Sequence, residues 1–278
     1  MPAGIIYCSM VYDLHNDLPT AGTDERGMRA AACGYAVRGL IFAVWTTELA
    51  SPAETAARAV RLTDGLPYPA GIGIEDCGFM ARDGWGVLDI PRLRYCTLTW
   101  NGDNAFAGGA LGSGRLTAAG RRLIEELIAR GVAVDLAHLN EKSFYDAIDY
   151  CGGRARLLCS HTALRRLMKH PRNLTDLQIK TLVSAGGIVG LAAVRAFLNR
   201  DEADAAAYAA HIVECAETFG ARTLAIGTDF YGAPPLAGLE GYDKFANLRE
   251  RLSRHLTSRQ IDAILYGNAE KFFNGSDP

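Results

Sequence analysis

Three histidines and three acids stand at points in this 278-residue chain from which they could share metal ions. His15 and Asp17 lie two residues apart at the end of an apolar run, Ile5 to Leu14, broken at Ser9 and Asp13. On extended backbone alternate side chains face the same way, so this imidazole and carboxylate can converge on one divalent cation. Taken alone, the pair is more simply read as a strand end whose polar residues meet water. Four further residues change that reading. Glu75 closes the run Ala70–Glu75, His138 follows Ala133–Ala137, His161 follows Leu157–Ser160, and Asp229 follows Thr223–Gly227. Imidazole and carboxylate together suit zinc-like ions, with one carboxylate able to bridge a pair. Two ions about 3.5–4 Å apart would hold a shared hydroxide and polarise a carbonyl, which is hydrolytic chemistry.

The elements that must position these residues are legible as short apolar runs alternating with amphipathic segments. Eight runs read as strands: Val11–His15, Leu40–Val44, Ala70–Glu75, Tyr95–Thr99, Ala133–Ala137, Leu157–Ser160, Gly187–Leu191 and Thr223–Gly227. Near-continuous apolar character over this length fits strands buried on both faces of a parallel sheet. Helical patterns fall between them. Thr117–Arg130 carries the stripe Leu123, Ile124, Leu127, Ile128 and a stop at Gly131. Pro52–Thr63, Lys142–Tyr150 and the Ala-rich Glu202–Phe219 are further helices. Thr175-Asp176-Leu177-Gln178 and Thr257-Ser258-Arg259-Gln260 read as capping boxes, the first opening a helix that runs to about Ser184. Ala21–Arg38 has no clear pattern, and Asp76–Arg94, with Gly78, Gly84, Gly86 and Pro91, reads as partly loop. Eight strands alternating with helices predict an α/β fold, a (β/α)8 TIM-like barrel, as one domain over residues 1–278. In such barrels the site lies at the C-terminal ends of the strands, where all six residues fall. Strands two and four end in aromatics, Trp45 and Trp100.

The other histidines read more blandly. His170 precedes Pro171 in a basic loop, and His211 and His255 are expected in helices in structural or surface roles. Arg172, in Lys169-His170-Pro171-Arg172-Asn173-Leu174, is either a surface arginine or a guanidinium fork for a substrate carboxylate. A formal net charge of -2 argues against nucleic acid as a partner. Seven scattered cysteines without a CxxC pair suggest a reducing compartment, and no signal-like or membrane-spanning run is evident, so the expected location is the cytoplasm, off the membrane.

The chain resembles the membrane-dipeptidase (renal dipeptidase) family of zinc peptidases, peptidase family M19. The matching blocks run in order along nearly the whole chain: His15-Asn16-Asp17-Leu18-Pro19, Gly73-Ile74-Glu75, Leu98-Thr99-Trp100-Asn101, Val134-Asp135-Leu136-Ala137-His138, Ser160-His161-Thr162, His170-Pro171-Arg172-Asn173-Leu174 and Gly227-Thr228-Asp229-Phe230. The resemblance implies a two-zinc (β/α)8 TIM-like barrel of the metallo-dependent hydrolase type that hydrolyses dipeptides, often with a D-residue on the C-terminal side, and a homodimer. It implies that His15 and Asp17 bind one zinc, His138 and His161 the other, and that Glu75 bridges them. Asp229 would handle protons and engage the substrate amine, and Arg172 would pair with the substrate carboxylate. Three residues depart from the family. Trp100 stands where mammalian members have a His that contacts the reacting carbonyl, and an indole can only donate. Asp76 follows the bridging Glu where many relatives have Gly, and Tyr231 replaces a usual Asp. The chain is also short for the family, with trimmed loops.

The leading expectation is therefore zinc-dependent dipeptide hydrolysis through a metal-bridging hydroxide, with Glu75 and Asp229 catalytic and Arg172, Trp100 and Asp229 on the substrate. The alternative is a metal-dependent amidohydrolase for a cyclic amide or other small C–N substrate, whose ring Trp100 could stack on. A third reading is non-enzymatic: a barrel that binds a small metabolite or metal and signals through a partner.

Overall fold

The structure, a computed structural model, describes residues 10–21, 37–45, 51–199 and 203–275. Eight parallel strands close into a barrel in chain order. They are β1 (Val11–Asn16), β2 (Val37–Trp45), β3 (Ala70–Glu75), β4 (Leu93–Thr97), β5 (Ala133–Asp135), β6 (Leu157–Thr162), β7 (Ile188–Leu191) and β8 (Leu224–Ile226). Asp13 of β1 pairs with Ile226 of β8 and shuts the ring. Every expected strand is present; Ala70–Glu75 keeps its expected bounds, and no other end moves by more than three residues.

The helices between them begin where local chemistry lets them. Helix α1 (Pro52–Thr63) carries its proline at the first turn, where no backbone donor is needed. Helix α2 (Ala118–Ala129) is capped by the Thr117 hydroxyl accepting the Gly120 N–H, and buries Leu123, Ile124 and Leu127. Truncating Leu123 to Ala would cost about 2–5 kcal/mol, the usual range for a filled core site. Helix α3 (Glu141–Cys151) is capped by Asn140. Helix α4 (Asp176–Ser184) opens with the full Thr175–Gln178 capping box, and the Thr257–Gln260 box is formed as well. Helix α5 (Ala205–Phe219) begins at an Asp204 cap; residues 200–202, where this helix was expected to start, lie outside the described residues. Most of Ala21–Arg38 also lies outside them. Of Asp76–Arg94, the part up to Arg92 is short turns and a four-residue helix, Met80–Asp83, and Leu93 and Arg94 already belong to β4.

Two apolar layers result. One fills the space between strands and helices. The other fills the barrel itself with Tyr12, Leu14, Ile41, Tyr95, Leu158 and Ile188, and is sealed below by Phe273 stacked on Tyr12, centroids 6.2 Å apart. Among the described residues no helix is long and apolar enough to cross a membrane.

Candidate metal centre

The rim departs from regular sheet where the acids and histidines emerge. Asp13 is buried, and its Oδ1 accepts the N–H of His15 at 3.1 Å and of Thr228 at 2.8 Å. These bonds replace ladder bonds, and the register of β1 against β2 slips between Asp13 and Asn16. Asp135 does the same across the barrel, its Oδ1 accepting from Ala137 at 3.0 Å and Ser160 at 2.9 Å. Just beyond, His138 turns into the left-handed region at φ 67°, and Asp229 after β8 does so at φ 61°. Strain of this kind collects at functional sites, where it aims a side chain that regular backbone would not.

All six residues converge. Glu75 lies between the histidines: Oε2 is 3.2 Å from His15 Nε2, and Oε1 is 2.6 Å from His138 Nε2 and 3.8 Å from His161 Nε2. Asp17 Oδ2 and Asp229 Oδ1 lie 3.3 and 3.9 Å from His15 Nε2. One carboxylate thus faces two donor groups, one oxygen to each. The other ring nitrogens are engaged from behind. His15 Nδ1 meets the Tyr95 hydroxyl at 2.8 Å, His138 Nδ1 meets Asn101 Oδ1 at 3.0 Å, and His161 Nδ1 meets Ser160 Oγ at 2.8 Å. Asn101 Oδ1 can only accept, and Tyr95 already donates to Leu14 O at 3.0 Å. His138, a neutral imidazole, therefore carries its proton on Nδ1 and presents a bare Nε2 lone pair inward, while His15 gives its Nδ1 proton to Tyr95 and turns Nε2 toward the acids. This outer ring of partners is what orients metal-ligating imidazoles.

The buried donors fit cations. His138 and His161 set Nε2 atoms 2.9 Å apart. Among the described residues His15 Nε2 and both Asp17 oxygens have no hydrogen-bond partner. Two triads, His15–Glu75–His161 and His15–Asp17–Asp229, each bring three ligand atoms within 4.8 Å of one another. Space is kept beside them by Gly232, where a β-carbon would collide with Asp17 Oδ2 and Asp229 Oδ1. Lone pairs gathered in a dry pocket are costly unless a positive charge sits among them.

The electrostatics follow from burial and crowding. Burial holds His138 down at about 3 and His161 well below the usual imidazole range, so both are neutral and ready to ligate. Burial alone would lower His15 too, yet the Tyr95 phenol, Asp17 and Glu75 around it hold it well above that range. Against its own burial, Glu75 is held well below the ordinary carboxylate range by His15 and His138. Burial and the neighbouring Asp17 push Asp229 well above it.

Arg172 is buried, not on the surface. Its Nη2 donates to His161 Nε2 at 2.7 Å, its guanidinium lies over the Phe197 ring at 5.5 Å, and its Nε has no partner among the described residues. Trp100 is 40% exposed on the rim, 5.2 Å from the Trp45 ring and 6.1 Å from the His138 ring. His211 is structural: Nδ1 accepts from Leu164 N–H, and Nε2 bonds Leu198 O. His170 lies in its loop against Phe197. His255 is exposed in a turn after the helix Phe245–Leu252 rather than within a helix. Sequence reasoning missed Tyr95 and Gly232. Tyr95 reads as one more strand aromatic, and its room comes from Gly73, where a β-carbon would strike its ring.

Comparison with known proteins is decided by a family model. The description Membrane dipeptidase (Peptidase family M19) matches residues 90–275, two thirds of the chain. The chain belongs to the membrane dipeptidase family, M19. An uncharacterised dipeptidase of Schizosaccharomyces pombe is 31% identical over 185 residues, covering 62% of this chain and 44% of the relative. The chain spans about half or less of the length of the curated relatives it matches. An amidohydrolase from Pseudomonas aeruginosa superposes with TM-score 0.82 at 19% identity, over 96% of each chain. A metallopeptidase from Rhodobacter sphaeroides, solved with a phosphinate mimic of the dipeptide L-Ala-D-Ala, superposes with TM-score 0.79 at 19% identity, over 95% of this chain and 98% of that one. At such identity these structures bear on the fold, the same barrel. The M19 family model covers Trp100 through Asp229, whereas His15, Asp17 and Glu75 lie before its matched span.

Proposed function

We propose that this M19 chain is a metal-dependent dipeptidase that holds two divalent ions, zinc by donor chemistry. Glu75 carries the reading: one buried carboxylate presents an oxygen to His15 and the other to His138 and His161. His15 and Asp17 would hold one ion, His138 and His161 the other, and Glu75 both. Bound there, the ions would supply Lewis acidity, acidifying a water and polarising the scissile carbonyl. Asp229, with its raised proton affinity, suits taking a proton and returning it to the leaving amine. The buried guanidinium of Arg172 suits a free C-terminal carboxylate, which would limit substrates to short peptides. The dipeptide mimic bound by the Rhodobacter enzyme makes L-Ala-D-Ala a sensible first substrate. The five cysteines among the described residues are buried free thiols, which agrees with a reducing compartment, the cytoplasm in this reading.

The test is metal analysis and a dipeptide panel that includes D-residues at the second position. Wild type should hold two ions and turn over dipeptides; Glu75→Ala should lose both properties, and Asp229→Asn should keep the ions and lose most of the turnover. Equal turnover in both variants would remove the assignment. One observation favours a second reading: the Trp45–Trp100 pair forms an aromatic wall beside His138, suited to a planar ring. Ring-opening assays on cyclic amides, run on the same protein, separate the two.

A further inference from the structure

The residue after Glu75 is left-handed. Asp76 has φ 65° and ψ 93°, which side chains other than Gly, Asn and Asp seldom adopt. Its N–H donates to Thr97 Oγ1 on β4 at 2.8 Å. Its Oδ1 accepts from Gly78 N–H at 2.8 Å and from Asn104 Nδ2 at 2.9 Å, and the N–H of Trp100 faces the same carboxylate. Asn104 carries the tie onward. Its Nδ2 also donates to Leu98 O at 2.8 Å, and its Oδ1 accepts from Phe106 at 2.8 Å and Ala107 at 3.2 Å. One side chain thus fastens the turn that follows Glu75 to both flanks of the segment bearing Trp100 and Asn101. Asn101 in turn fixes the ring of His138.

We propose that Asp76 is a positioning residue, setting the distance between the Glu75 carboxylate and the Trp100–Asn101 segment so that His138 and Trp100 stay aimed at the same point. The inference rests on the metal-centre reading for one of its two measurements only. The far part of the loop has its own anchors: Asp103 accepts from Gly109, Ser113 and Gly114, and Asn140 donates to Gly112 and Gly114. Loss of Asp76 should therefore loosen the near end without unfolding the loop. A residue that merely stabilised a turn would change melting temperature and leave the centre unmoved.

Three variants separate these cases. Asp76→Gly keeps the backbone conformation and removes the side-chain bonds. Asn104→Ala cuts the same tie from the other side. Asp76→Asn keeps the shape, the left-handed tolerance and an acceptor oxygen. Zinc affinity by chelator competition should fall tenfold or more in Asp76→Gly and Asn104→Ala, and stay within threefold of wild type in Asp76→Asn. Tryptophan emission of the metal-free proteins, with acrylamide quenching, should shift in the first two and not in the third. Unchanged affinity and emission in both cutting variants would overturn the proposal, as would an Asp76→Asn protein as impaired as Asp76→Gly. A wild type that takes up no zinc would sink the metal-centre reading instead, and the emission measurement would still decide the role of Asp76.

Discussion

The Tyr95 hydroxyl stands between His15 Nδ1, 2.8 Å away, and Leu14 O, 3.0 Å away. Because the phenol gives its proton to the carbonyl, it can only receive the proton of the imidazole. That single relationship fixes which nitrogen of His15 faces Glu75. Tyr95→Phe keeps the ring in the space left by Gly73 and removes the acceptor. Zinc affinity should fall about 10–100-fold, the usual cost of losing such a partner. Chelator competition at neutral pH measures it, and unchanged circular dichroism would show the barrel intact.

Arg172 should govern substrate affinity rather than metal loading. Arg172→Lys keeps charge but not the fork, and Arg172→Met keeps bulk without charge. KM for dipeptides should rise about tenfold for Lys and more for Met, as expected when a charge-assisted pair worth about 1.5–3 kcal/mol is lost. Metal content should be unchanged. A dipeptide amide, lacking the carboxylate, should be a poor substrate of wild type and little worse with the variants.

Asp229→Asn preserves shape and removes the proton site. We expect kcat to drop about 10²–10⁴-fold, the typical contribution of a general acid–base, with two ions still bound. Metal analysis beside steady-state kinetics checks both halves.

Proton linkage gives a prediction independent of substrate. His15 is held well above the usual imidazole range in the metal-free protein, so it is charged at neutral pH. A raised pKa contributes stability that is complete below the unfolded value, 6.5, and is lost as pH climbs through the folded value. A cation must displace that proton. Apparent zinc affinity should therefore increase about tenfold per pH unit up to the folded pKa of His15. Calorimetry in buffers of different ionisation enthalpy should register at least one proton released per chain.

Gly232→Ala should weaken zinc binding without touching a ligand, because the new methyl would press on Asp17 Oδ2 and Asp229 Oδ1. The effect should exceed that of an alanine at Gly102, where the added carbon meets nothing.

The barrel was readable because its signals are local. Strands buried on both faces stay apolar along their length, so Ala70–Glu75 could be bounded by eye. The same holds for helices with their own punctuation: Pro52 opens one, and the Thr175–Gln178 box opens another. The polar residues at strand ends were legible too, since an apolar run that stops in His or Glu is conspicuous. What stayed hidden depends on distant partners. Tyr95 and His15 are 80 positions apart, and nothing in the sequence of β4 marks its phenol as the anchor of an imidazole on β1. The bulge at Asp13 and the turn at His138 arise because carboxylates take backbone donors from a neighbouring strand, which no periodicity reveals. The burial of Arg172 has the same origin. Its loop is polar in sequence and is covered by Phe197 from beyond β7.

The left-handed turns at His138 and Asp229 constrain how this centre can drift. Most side chains are disfavoured there by about 1–2 kcal/mol before any chemistry is considered. A substitution to alanine would mix that backbone cost with the loss of the functional group, whereas asparagine, at home in this conformation, removes the chemistry alone. Inactive descendants of this chain should therefore carry asparagine or glycine at those two positions more often than alanine, leucine or valine.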